Sequence, residues 1–80
     1  MSKLTEAEET FCKYKLGMTG GFYTSLIQTM FKADIVNQSR LHMGFPELMV
    51  VVDRYGNEDM YWENLVDRWN EQYPTHKLDI

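Results

Sequence analysis

Between Thr19 and Arg54 the chain reads TGGFYTSLIQTMFKADIVNQSRLHMGFPELMVVVDR, and the spacing of its apolar residues, glycines and proline is that of consecutive short packed helices. Phe22, Leu26, Met30 and Ala33 fall on one face, with Tyr23, Ile27 and Phe31 beside them. So wide an apolar surface predicts that this helix is the central, most buried element. Asp34 or Asn37 then breaks and restarts the chain into a short helix carrying Ile35, Val36, Leu41 and Met43. Gly44 is expected to end that helix in a left-handed conformation, and Pro46 suits the first turn of the next, where its missing N–H costs nothing.

The flanks extend the pattern. Thr5 followed by Glu8 fits a capping box, and Leu4, Ala7, Phe11 and Tyr14 recur at helical spacing, predicting a first helix over about 5–16 that Gly17 ends. The segment Gly17–Gly21 reads as a flexible joint, with Thr19 a cap for the second helix. Near the other end Trp62, Leu65, Val66, Trp69 and Tyr73 repeat at helical spacing up to Pro74, and residues 75–80 read as a flexible tail.

Residues 48–57 admit two readings. Val50, Val51 and Val52 ahead of Gly56-Asn57 fit a strand entering a hairpin. A strand needs a partner, however, and no second β-branched or alternating run exists to supply one, so helix is the favoured reading. The expected fold is therefore all-α, a compact bundle of four to five short helices forming one domain over 1–80.

A chain of 80 residues buries only about 60% of its unfolded surface, so its stability is modest and self-association would raise it. With 44% hydrophobic and 14% aromatic residues it can still build a core without disulfides or metal. Cys12, the one cysteine, has no partner in the chain for a disulfide or a zinc site and reads as a small buried apolar group. No apolar run approaches the about 20 residues that cross a bilayer. The N-terminal MSKLTEAEETF is acidic and polar where a signal peptide would be basic and then apolar, so the expected location is the cytoplasm.

Charge is uneven. The net value of −4 opposes broad binding to phosphate backbones. Lys13, Lys15, Lys32 and Arg40 against Asp34 give the middle +3, whereas six acids against Arg54 and Arg68 give residues 53–71 −4. Asp59, Glu63, Asp67 and Glu71 stand four apart, which puts them on one helix face opposite Trp62, Leu65 and Trp69. Like charges at that spacing cost roughly 0.2–0.5 kcal/mol per pair, a liability that a basic protein partner would relieve. The plainer alternative is a solvated face partly neutralised by Arg68 and Arg54.

A second candidate is an anion site. Gly20 and Gly21 ahead of a helix, with Lys15 and Thr19 nearby, offer backbone N–H groups to a phosphate or carboxylate. The Gly-Lys-Ser/Thr ending of a phosphate loop is absent, and an ordinary turn between helices explains the same residues. Catalytic and metal chemistry find less support. Carboxylates on a helix exterior lack the cleft that separates acid from base. His42 and His76 have no Cys or carboxylate at ligand spacing, Ser25 and Ser39 have no His-Asp context, and neither a cofactor nor a metal is expected. Tyr55, Tyr61, Trp62, Trp69 and Tyr73 suit core packing better than base stacking, given their acidic surroundings. The six methionines fit an irregular core or a protein-binding surface equally well.

The run GGFYTSLIQTMFKAD, then NQSRL, GFPELMVVVDRY and YWENL, resembles small uncharacterised proteins of phages and prophages of intestinal bacteria. The resemblance spans Gly20–Leu65 and is most specific at Gly44-Phe45-Pro46-Glu47 and Tyr61-Trp62-Glu63. It implies a setting inside an infected or lysogenic bacterium and carries over no functional residue. Charge, spacing and resemblance together leave three expectations. The first is a non-enzymatic acidic binding protein, masking or inhibiting a host or phage protein through the face of Asp59, Glu63, Asp67 and Glu71. The second is a homo-oligomer holding a small anion or nucleotide at Lys15, Thr19, Gly20 and Gly21. The third is an accessory virion or assembly protein.

Overall fold

The computed structural model describes residues 3–78, and in them the chain forms five helices: α1 (Glu6–Leu16), α2 (Gly21–Lys32), α3 (Ile35–Gly44), α4 (Pro46–Asn57) and α5 (Tyr61–Gln72). No strand occurs among the described residues, so the Val50–Val52 run is helical and the all-α expectation holds.

Local chemistry explains most of the boundaries. The capping box is formed: the Glu8 N–H donates to Thr5 Oγ1 at 3.1 Å and the Thr5 N–H donates to Glu8 Oε1 at 3.0 Å. At the other end of α1, Gly17 has φ +73°, and the Gly17 and Met18 N–H groups donate back to Tyr14 and Lys13 carbonyls. A Cβ at Gly17 would meet nothing within 4 Å, so Gly17→Ala isolates backbone strain. It is expected to cost about 1–2 kcal/mol, read as a lower urea midpoint with unchanged slope.

Asp34 is the N-cap of α3, its carboxylate accepting from the Asn37 N–H at 2.8 Å. Two other expected caps are corrected. Gly20, not Thr19, caps α2, because the Thr19 hydroxyl is engaged with Thr24 Oγ1 at 2.8 Å. Gly44 closes α3 without a positive φ, and Phe45 (φ −138°, ψ 65°) makes the corner, serving as C-cap of α3 and N-cap of α4 with Pro46 next in chain. The α4–α5 turn falls at 58–60, with Met60 in the left-handed region at φ 67°. Helix α5 stops at Gln72 because Tyr73 precedes Pro74, and a residue before proline is disfavoured in the helical region.

The central element is α4, which packs on each of the other four helices and buries Leu48, Met49, Val51 and Val52. The expectation for the α2 segment is therefore overturned. Only Ile27 and Met30 of α2 are buried, while Phe22 stays largely exposed and Phe31 nearly half so. Leu48, Met49, Val51 and Val52 give α4 a wide apolar face that its neighbours cover, whereas the outer side of α2 carries Ser25, Gln28, Thr29 and Lys32. Phe11, at the heart of α1, lies among the rings of Tyr14, Phe31, Tyr55 and Trp62, with centroids 5.0–6.3 Å away.

Residues 75–78 fold back on α5 where a flexible tail was expected. Trp69 Nε1 donates to the His76 carbonyl at 2.7 Å, Asn70 bonds both backbone groups of Leu78, and Leu78 is buried. Asp79 and Ile80, the rest of that segment, lie outside the described residues. The molecule measures 38 × 27 × 19 Å, so its thinnest dimension is about two helix diameters.

Candidate functional site

The exterior of α5 begins with its interior. Tyr61, Leu65, Val66 and Trp69 are buried, which turns Glu63, Asp67 and Glu71 outward along one line. Asp59 sits in the turn before the helix, exposed, so the row of four becomes three helical carboxylates and one at the turn.

The placement of the nearby arginines decides the charge of this face. Arg68 turns inward and forms a two-point pair with Glu8, Nη1 to Oε1 at 3.1 Å and Nη2 to Oε2 at 2.7 Å. Both side chains are nearly buried, 11% and 6% exposed. The Tyr61 hydroxyl donates a further bond to Glu8 Oε2 at 2.8 Å, and Asn64 accepts from Arg68 Nε at 2.9 Å. Arg54 is held by Glu58 at 2.8 Å and stacks on the Tyr61 ring. Among the described residues no ion pair reaches Asp59, Glu63, Asp67 or Glu71. Arg68 and Arg54 thus make their close ion pairs with Glu8 and Glu58 and not with the row.

Glu8 is the hub that the sequence showed only as half of a capping box. Burial alone would raise its carboxyl, but hydrogen bonds from Arg68, the Thr5 N–H and Tyr61 outweigh that and hold it below the ordinary value. The Tyr61 hydroxyl is pushed up, first by burial and then by donating to Glu8. No local signal could have revealed this, since Glu8 and Arg68 are 60 residues apart. A companion cluster ties the same N-terminal end of α1 to the C-terminal end of α5. Gln72 and the Tyr73 hydroxyl both donate to Glu9 Oε1, and Gln72 Oε1 accepts from the Leu4 N–H at 3.3 Å.

The anion candidates are not gathered into a site. Lys15 Nζ donates to the Tyr55 hydroxyl at 3.1 Å and lies over the rings of Tyr55 and Trp62, 5.1 and 5.4 Å from their centroids. Thr19 is bonded to Thr24, while Gly20 and Gly21 are exposed at the start of α2.

The structure adds a pair that sequence spacing did not show, His42 on α3 and Asp53 on α4, 2.8 Å apart and half exposed. It ties two helices. Neither ring nitrogen of His42 bonds a hydroxyl among the described residues, so the geometry of a nucleophilic triad is not present there. No group of three His, Cys, Asp or Glu side chains suited to a metal occurs among them. Cys12 is fully buried, and burial followed by the nearby Glu8 charge pushes its thiol up to about 12.

No helix among the described residues is long and apolar enough to cross a membrane. Comparison of the chain with known protein families, with curated proteins and with solved structures found no match in any of the three.

Proposed function

We propose that this chain is a small acidic helical binding protein that masks a basic surface of another protein with the exterior of α5. The observation that carries the reading is the diversion of Arg68 to Glu8 and of Arg54 to Glu58, which leaves Glu63, Asp67 and Glu71 uncompensated in a line. Glu71 lies at the C-terminal end of α5, where the helix dipole is already negative and the last turn holds no basic residue. A cationic partner relieves both repulsions, and spaced carboxylates meet such a surface as phosphates would. The resemblance to phage and prophage proteins supports a setting inside a bacterial cell, and a host or phage protein is the target we infer there.

The test is capture from bacterial lysate with the full chain and with a variant carrying Glu63→Gln, Asp67→Asn and Glu71→Gln. Asp67 and Glu71 are exposed and Glu63 is half-buried, so the variant is expected to match the parent in stability within about 1 kcal/mol. A partner that binds the parent at low salt, is released at high salt and ignores the variant is the expected result. Identical capture by both proteins removes the proposal.

A further inference from the structure

We infer that the outer face of α3 is a self-association surface, on which a second copy of this chain packs its own α3 antiparallel across a two-fold axis. Helix α3 buries none of its residues, yet three of its ten are large and apolar side chains left in solvent. Ile35 is 83% exposed, Val36 61% and Met43 86%. At 100° per residue Ile35, Val36, Ser39 and Met43 fall within about one third of the helix circumference. The opposite side, with Gln38 and Leu41, is the half-buried one, and His42 is tied to Asp53 of α4. An apolar stripe therefore faces away from the bundle.

Three features select a second copy as the occupant. The stripe is symmetric about Ser39, with Ile35 four residues before it and Met43 four after. A two-fold through Ser39 sets Ile35 against the other copy's Met43, which is the self-complementarity that an isologous contact requires. The small serine at the centre lets the two helices approach closely. Charge is sparse at the contact: Arg40 is the one Lys, Arg, Asp or Glu within α3, and it bonds Asn37 on its own helix at 3.3 Å. Antiparallel α3 helices also oppose their dipoles favourably.

Area supports the same occupant. The three side chains expose on the order of 400 Å2, the size of the largest apolar patch on a typical small protein, which is often a functional one. Counted on both copies with Ser39, Arg40 and His42 at the margins, the contact reaches the order of 1,000 Å2, about where a specific interface begins. A chain this small, two helix diameters thick, gains from covering that stripe.

Light scattering and sedimentation of the full chain over a range of concentrations test the proposal. The expected result is a reversible rise to twice the 9.5 kDa chain mass. Ile35→Glu with Met43→Glu is expected to keep the helical circular dichroism and remain at single-chain mass. A separate variant, Ser39→Cys, is expected to form a disulfide-linked dimer under mild oxidation that the parent, with Cys12 buried, does not. A parent chain that stays at single mass at the highest concentration overturns the proposal, as does an undiminished dimer in the double variant or the absence of a cross-link in Ser39→Cys. The α5 charge variant is expected to self-associate like the parent, so failure here and failure of the masking role are read separately.

Discussion

Glu8→Ala is expected to destabilise the chain severely at neutral pH. The substitution strands the Arg68 guanidinium in a nearly buried position, orphans the Tyr61 hydroxyl and breaks the α1 capping box. Removing one partner of a buried ion pair costs about 3–5 kcal/mol, because the remaining charge keeps its desolvation penalty. An 80-residue domain holds roughly 4–12 kcal/mol in all, so the loss is a large share of the whole. Urea unfolding followed by circular dichroism measures it. The double variant Glu8→Leu, Arg68→Met is expected to recover most of the stability, since it removes the stranded charge as well as the pair. A double variant no better than the single would show that the pair itself, and not the orphaned charge, carries the effect.

The same network has a pH signature. Glu8 titrates below its ordinary 4.5 in the folded chain, so the folded state favours the ionised carboxylate. Its contribution is complete above about 4.5 and is lost as pH falls through the folded value. The parent is thus expected to lose stability on acidification through this window, and the Glu8→Leu, Arg68→Met variant to show a flatter acid limb.

Phe11→Ala is expected to be of similar severity, by a different route. Phe11 is fully buried, and its ring is shared by contacts from α1, α2, α4 and α5. Truncation of a buried Phe costs about 3–5 kcal/mol as lost transfer free energy plus a cavity. The tilted and edge-on rings around it lose their aromatic partner together. Because Trp62 is 6.1 Å from Phe11, its fluorescence reports the site directly alongside the unfolding midpoint. Phe11→Leu fills much of the space and is expected to cost clearly less; equal losses for both would indicate that ring geometry, not volume, dominates.

Most of the fold was legible because its signals are local. Thr5 with Glu8, Gly17, Asp34, Pro46 and Pro74 each act through the backbone within a few residues, so they mark helix ends wherever the chain goes. The valines of α4 were ambiguous for a reason of the same kind, since β-branched residues favour strands locally and only the absence of a pairing run argued otherwise. The misreadings at α2 and Thr19 came from asking local pattern for tertiary facts. An apolar face predicts burial only if a neighbour arrives, and a cap forms only if its hydroxyl is free.

The row Asp59, Glu63, Asp67 and Glu71 shows where the boundary runs. That three of these carboxylates share a face follows from a period of 3.6 residues and was set by order in the chain. Whether the face is neutralised depended on where Arg68 goes, and Arg68 was drawn away by Glu8, 60 residues distant, when α1 packed on α5. The exposed stripe on α3 arose in the same manner, because α4 took the centre of the bundle and left Ile35, Val36 and Met43 without a neighbour. Helix identity and helix ends thus followed from short-range backbone chemistry. The core, the Glu8 network and both candidate surfaces followed from contacts between residues far apart in the chain, which side-chain spacing alone does not encode.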